Sequence, residues 1–318
     1  MKYRKKTVRI YLTGGLGNQL FQLANAMNLS KEYEILVEEK LGNPKLNNSG
    51  FPEICSFELP PNIFFSDTKY YSNFVNRTIS YILRRHLNLN TNLHVIISNK
   101  ILDLIGTLIV SLFYRKLVWL KYGNGVGYSE IVLTKRNYLI VGYFQTYKSI
   151  TNADVLRSIR SLKIKSENRV IQKYRDLASL ERPLIVHFRL GDYKLEKEFG
   201  VPDNQYYENA IGILNSKFPN SKIWIFSDEA EVAIHKFPKK YEEEARWIET
   251  DSLNSAEILE IMKLGVGYVL ANSTFSWWAA VLSSADHLNI IAPKGWFKFL
   301  SEPKQLILPS WNTLQAWN

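Results

Sequence analysis

Cysteine is nearly absent from these 318 residues: Cys55 stands alone, so no intrachain disulfide and no thiolate zinc site can be built. A disulfide-stapled secreted domain is thereby excluded. The five histidines (His86, His94, His187, His235 and His287) show no metal-ligand spacing, and no D-x-D, G-x-S-x-G or G-K-[ST] element occurs. Long hydrophobic runs are missing too. The most apolar stretch, Ile101 to Leu120, is interrupted by Asp103, Gly106, Arg115 and Lys116. About ten clean residues remain where a spanning helix needs about 20, so a buried or interfacial helix is expected there. Met1 to Lys6 is basic, but the residues after it are too short and too polar a run for a signal peptide. A cytoplasmic protein is expected, and Asn76-Arg77-Thr78 is not read as a glycosylation site. Short-period repeats and low-complexity tails are lacking as well.

Acidic residues are the minority charge, 30 against 40 Lys and Arg, which gives a net charge of +10. That excess suits nucleic acid, an anionic membrane surface or a phosphorylated small substrate. A non-catalytic nucleic-acid-binding or lectin-like glycan-binding protein is the competing class; against it, the basic residues are spread along the chain with no RRM, KH or helix-turn-helix signature. A 46% hydrophobic content excludes disorder as the main state. The length exceeds what one core usually supports, roughly 250–300 residues, so two domains are expected.

The order of elements is that of an α/β protein. Val8 to Leu12 reads as a strand, Gly14-Gly15-Leu16-Gly17 as a turn, and Gln19 to Leu29 as a helix, the opening of a βαβ unit. Ile35 to Val37 and Tyr138 to Phe144 are further strands, while residues 41–130 carry no clear pattern. After a charged helix expected over Asp154 to Leu177, strands at 183–188, 222–226, 267–270 and 288–292 alternate with helices at 206–217, 255–262 and 275–282. Such alternation predicts a parallel sheet. The expected lobes are residues 1–150 and 151–318.

Ligands of open α/β sheets bind beyond the carboxyl ends of the strands, and the polar clusters fall there. Gly14 to Gln19 fits neither the dinucleotide fingerprint nor the P-loop. It reads either as a plain βα turn or as a loop whose Gly15 and Gly17 let backbone approach a ligand while Asn18 points an amide at it. In His187-Phe188-Arg189-Leu190-Gly191-Asp192-Tyr193, alternation sets His187 and Arg189 on one face. Arg189 is either a solvated charge or a cation for phosphate oxygens. Asn272-Ser273-Thr274-Phe275-Ser276 caps a helix, and the same N–H groups and hydroxyls suit an anion. Trp277 and Trp278 read as packing residues. Asp228 and Glu229 are adjacent and diverge, so they are no glycosidase pair; one of them is suited to accept bonds from a base or ribose.

Five blocks in order carry a resemblance: Gly14 to Gln22 (GGLGNQLFQ), Gly142-Tyr143-Phe144-Gln145, His187 to Tyr193, Phe226-Ser227-Asp228, and Asn272 to Trp278 (NSTFSWW). Together the chain resembles the bacterial α-1,2-fucosyltransferases of glycosyltransferase family 11, from residue 10 to about 297, with only a loose match over 41–135. The resemblance implies a GT-B fold, two Rossmann-like lobes facing across a cleft, with the N-terminal lobe on the acceptor side and the C-terminal lobe on the donor side. It implies transfer of fucose from GDP-fucose to the 2-hydroxyl of a galactoside, with inversion, no metal and no cofactor.

By the same resemblance Arg189 holds the donor pyrophosphate and His187 lines its pocket. Asp192 closes the motif and is the first choice for the base, with orienting Arg189 as its other role. Asn272, Ser273, Thr274 and Phe275 lie against phosphates and sugar, Asp228 against guanosine, Gly15 and Gly17 by the donor, and Asn18 near the transferred sugar. The family usually has a second arginine where this chain has Leu190. A related GDP-deoxyhexose such as GDP-colitose is therefore the alternative donor, and Lys294 a replacement charge. The acceptor implied is a glycan of O-antigen or surface type, lipid-linked. The basic Met1 to Lys6 and Arg115-Lys116 suggest peripheral contact with the anionic inner face of the cytoplasmic membrane.

Overall fold

A computed structural model describes residues 6–66, 73–87, 93–123, 127–128, 130–166, 168–191 and 198–317. The chain divides into two compact units, residues 1–163 with 304–306, and residues 164–303 with 307–318. The first unit runs β1 (Thr7–Gly14), α1 (Leu16–Met27), β2 (Glu34–Pro44), β3 (Phe57–Glu58), β4 (Ile63–Phe65), α2 (Asn73–Leu87), α3 (Leu93–Tyr114), β5 (Trp119–Tyr122), β6 (Asn137–Val141) and α4 (Ala153–Arg160). Its five-stranded sheet has the order β4-β2-β1-β6-β5 and is parallel throughout. β1 lies at the centre, covered on both faces, which is why it is a continuous buried run with no alternating pattern.

The unit extends to Lys163, later than the boundary expected at 150, because Val155 and Ile159 of α4 are buried and α4 packs on α1. The stretch without clear pattern, 41–130, holds short strands and two long helices. The helix expected over Ile101 to Leu120 is α3, and it stops at Tyr114. Arg115 adopts a left-handed φ of 50°, its N–H donates to Leu112 O at 3.2 Å, and the chain leaves to form β5.

β7 (Lys163–Ile164) follows at the boundary. The second unit continues with α5 (Arg169–Glu181), β8 (Leu184–Phe188), α6 (Asn204–Lys217), β9 (Ile223–Ser227), α7 (Ala230–Lys236), β10 (Ala245–Trp247), α8 (Ser255–Met262), β11 (Gly267–Val269), α9 (Thr274–Leu282), β12 (Ile290–Lys294) and β13 (Asn312–Gln315). The one charged helix expected over Asp154 to Leu177 is thus two, α4 and α5. Leu162 turns into the core between them, and Asn168 caps the new helix by accepting from Val170 N at 3.0 Å.

The second sheet has the order β10-β9-β8-β11-β12-β13, every neighbouring pair parallel. Numbered from β8, this is the 3-2-1-4-5-6 order of a doubly wound Rossmann sheet. Its core joins Val186, Phe188 and Leu190 to Tyr206, Tyr207 and Leu214 of α6 and Ile225 of β9. Trp277 and Trp278 are fully buried packing residues, as their pattern predicts, with ring centroids 5.0 Å apart.

Candidate active site

The strand order of the second unit reverses between β8 and β11, and the crevice beyond the carboxyl ends of two such strands is where these sheets bind ligands. Arg189 follows β8, Asp228 follows β9, and Asn272 to Phe275 follow β11. Three blocks far apart in sequence therefore meet at one rim.

The β8–β9 register pairs Phe188 with Ser227, which brings the next residues, Arg189 and Asp228, side by side. Arg189 Nη1 lies 2.9 Å from Asp228 Oδ2. The same carboxylate accepts from Leu190 N at 2.8 Å and Gly191 N at 3.1 Å. Both side chains are about a quarter exposed, so the pair adds little to stability. Its effect is positional: it anchors one side of the guanidinium while leaving the group reachable from solvent. Asp228 is expected from sequence to face guanosine; here its oxygens serve the turn and Arg189. A Cβ on Gly191 would stand 2.9 Å from Asp228 Oδ2, a carboxylate already fixed by two N–H groups, so the turn needs glycine. Leu190, where the sequence resemblance leads one to expect a second arginine, turns into the core with no exposed surface.

His187 is buried, and its Nδ1 has no hydrogen-bond partner among the described residues. Its ring faces Phe275 at 6.3 Å and 51°. Burial holds the imidazole down to about 4; Asp228 pulls it upward and Arg189 pushes it down. It is neutral at pH 7. The unfolded imidazole takes its proton near 6.5, so between about 6.5 and 4 the unfolded state binds more protons and stability falls as pH drops. The expected loss across that window is on the order of 3 kcal/mol. Urea unfolding of the wild type and His187→Asn at several pH values checks this; equal pH slopes in the two would refute it.

The β11–α9 junction supplies the other side of the rim. Ser273 caps α9, its Oγ accepting from Phe275 N at 3.3 Å. Thr274 and Phe275 are half-buried, with surface left for a ligand. Asn272 is wholly buried, and its Nδ2 donates to Phe199 O and Gly200 O at 3.1 and 3.0 Å. It ties the neighbouring loop to the rim. From α6, Tyr206 donates to Leu270 O at 2.7 Å and Tyr207 to His187 O at 3.1 Å, fixing the ends of both strands. From sequence these tyrosines read only as part of a helix.

The glycine loop belongs to the first unit. Gly14 takes φ of +73°, and a Cβ there would lie 2.3 Å from Asn18 Nδ2. Gly15 stands at the N-cap of α1 and Gly17, buried, in its first turn. The α1 N-terminus already holds an internal anion: Leu16 N donates to Glu53 Oε2 at 2.6 Å. Gln19 donates to Gly14 O and Lys45 O and accepts from Ile54 N, while Gln22 binds Thr13 on both its amide groups and donates to Gly142 O. Asn18 is the half-buried amide of this loop, and its Oδ1 accepts from Gln145 Nε2 at 2.8 Å. The fasteners Gln19, Gln22, Glu53 and Gln145 have no assigned role in the sequence reading, although helical spacing places Gln19 and Gln22 on one face.

Asp192 lies outside the described residues. Lys294 ends β12 with an exposed side chain. Among the described residues no three His, Cys, Asp or Glu side chains gather closely enough to hold a metal ion.

Residues 7–315 match the model of glycosyl transferase family 11. The O-antigen biosynthesis glycosyltransferase WbnK of Escherichia coli is 27% identical over 95% of this chain and 99% of its own length. An alpha-1,2-colitosyltransferase of Escherichia coli is 32% identical over 39% of this chain and 44% of its own. Among solved structures, NodZ alpha-1,6-fucosyltransferase aligns over 88% of this chain and 93% of that one with TM-score 0.47 and 13% identity. POFUT1 aligns over 91% and 97% with TM-score 0.48 and 12% identity. The chain belongs to glycosyl transferase family 11 and is a glycosyltransferase.

Proposed function

We propose that the enzyme moves L-fucose from GDP-fucose to the 2-hydroxyl of a galactoside, inverting the anomeric carbon and using no metal. The observation that carries this reading is Arg189, steadied by Asp228 beside the start of α9 at the reversal point of a Rossmann sheet. Cleavage of the sugar–phosphate bond builds negative charge on the departing diphosphate. Arg189, the Ser273 and Thr274 hydroxyls and the N–H groups opening α9 can meet that charge with fixed donors. His187, being neutral and dry, lines the pocket without adding charge. Asp228 acts as a positioning residue for Arg189. Asp192 is the proposed base for the acceptor hydroxyl, and Asn18, oriented by Gln145, the proposed contact to the sugar. The second unit is the donor side and the first the acceptor side.

The acceptor proposed is a lipid-linked galactoside glycan of O-antigen or surface type, met in the cytoplasm; the WbnK similarity supports that setting. A second reading takes GDP-colitose as donor. Leu190, which removes a cation, and the similarity to a colitosyltransferase favour it.

Purified enzyme offered GDP-fucose, GDP-colitose, GDP-mannose and UDP-sugars, with a set of β-galactosides, tests both. Fastest turnover with GDP-fucose, an α-1,2-linked product and activity unchanged by EDTA are expected. Fastest turnover with GDP-colitose selects the second reading. Use of UDP-sugars only, or strict dependence on Mg²⁺ or Mn²⁺, overturns the proposal.

A further inference from the structure

Helix α3 turns Gly106, Thr107 and Val110 inward and leaves Ile101, Leu104, Ile105, Leu108 and Leu112 outward, each 44–78% exposed. Their spacing of i, i+3, i+4, i+7 and i+11 makes one stripe along the helix. Two ties fix that orientation: Thr107 Oγ1 accepts from Leu120 N at 3.1 Å, and Tyr114 Oη donates to Glu38 Oε1 at 2.9 Å. Soluble proteins expose aliphatic side chains singly; five in a row mark a contact surface.

Helix α2 adds an aromatic and basic row. Phe74, Arg77, Tyr81 and Arg84 are exposed along its outer side. Both helices rest on one core cluster, through Val75 and Ile79 of α2 and Val110 of α3, so their outer sides face away from it together. The charge is predominantly positive. Residues 73–122 contain seven Lys and Arg and a single acid, Asp103. Arg115 and Lys116 stand exposed directly after the stripe.

We propose that this α2–α3 face docks on an anionic lipid bilayer, with the α3 stripe at the acyl boundary and the arginines and lysines on headgroup phosphates. Charge complementarity chooses the occupant. A second copy would press the same basic face against itself, whereas an anionic bilayer answers both the apolar stripe and its cationic margin. The contact lies along the membrane surface, since among the described residues no helix is long and apolar enough to cross. Met1 to Lys5, the basic stretch expected to take part, lie outside the described residues.

Vesicle partition tests this without reference to turnover. The full chain is sedimented with vesicles of phosphatidylcholine alone and of phosphatidylcholine mixed with phosphatidylglycerol, at low and high salt. Preferential binding to the anionic vesicles, weakened by salt, is expected. Leu104→Glu/Leu108→Glu and Arg115→Glu/Lys116→Glu should each lower the partition at least about tenfold, with the thermal midpoint unchanged because all four side chains are exposed. No preference for anionic lipid, or full binding by both variants, overturns the proposal. A dimer in sedimentation velocity that Leu104→Glu/Leu108→Glu dissociates overturns it in favour of a second copy.

Discussion

Replacing Arg189 with alanine is expected to slow transfer at least about a hundredfold, the scale of losing one fixed donor to a developing charge. That factor corresponds to about 2.7 kcal/mol of transition-state stabilisation. The loss should fall on kcat at least as heavily as on KM, because charge on the leaving diphosphate grows as the bond breaks. Arg189→Lys should recover only part of it, since an ammonium cannot keep one edge on Asp228 and offer a second edge to phosphate. Asp228→Asn should do less damage than Arg189→Ala: the amide oxygen can still accept from one of the Leu190 and Gly191 N–H groups, which bond different carboxylate oxygens, while the other N–H group loses its acceptor and the guanidinium its charged partner. Arg189 lies at the surface of its turn, so circular dichroism and the unfolding midpoint should match the wild type. Near-wild-type turnover in folded Arg189→Ala would remove Arg189 from the chemistry.

The second large effect concerns stability. Glu38 has no exposed surface and Arg9 almost none; Arg9 Nε lies 3.1 Å from Glu38 Oε1, as an ion pair whose angle is not that of a hydrogen bond. Arg9 Nη1 also donates to Thr7 Oγ1 at 3.1 Å, and its guanidinium lies 4.7 Å from the Tyr114 ring centroid. Glu38→Ala leaves a cation in the middle of a buried sheet and frees the Tyr114 hydroxyl. A loss of about 3–5 kcal/mol is expected, the usual cost of breaking a buried pair on one side. Replacing both charges, as Arg9→Met/Glu38→Leu, should restore most of it. Urea unfolding of the three proteins gives the comparison; a loss under about 1 kcal/mol in Glu38→Ala would show that water reaches Arg9.

The second unit was the more legible half, and the reason is physical. Its central strands, buried on both faces, are unbroken apolar runs such as Leu184 to Phe188 and Ile223 to Phe226, and each ends in polar residues at the rim. Its margins were not legible: β13 reads Asn-Thr-Leu-Gln and is largely exposed, so tertiary pairing rather than pattern makes it a strand. In the first unit only the second half of α3 was legible, as the helix expected within Ile101 to Leu120, because its outer face is as apolar as its inner one and helical periodicity is lost. In the site, alternation along β8 separated Arg189 from Leu190 correctly. What alternation could not supply was the partner across strands. The β8–β9 register, invisible in one dimension, gives Arg189 to Asp228. The roles of Gln19, Gln22 and Gln145 were hidden likewise: Gln19 and Gln22 bind backbone carbonyls of Lys45 and Gly142, and Gln145 binds the Asn18 side chain, all brought near only by folding.

Residues 304–306 belong to the first unit although the second surrounds them in sequence. Gln305 O accepts from Tyr147 N at 2.8 Å and Thr146 Oγ1 at 2.9 Å, immediately after the Gln145 that orients Asn18. On the ribosome, therefore, the first unit cannot be finished when its own stretch of messenger has been read. It waits for residue 306, by which time residues 164–303 of the second unit have also been made. A gene fragment ending at codon 163 would encode the sheet and the glycine loop, but not the three residues that close the segment behind Gln145.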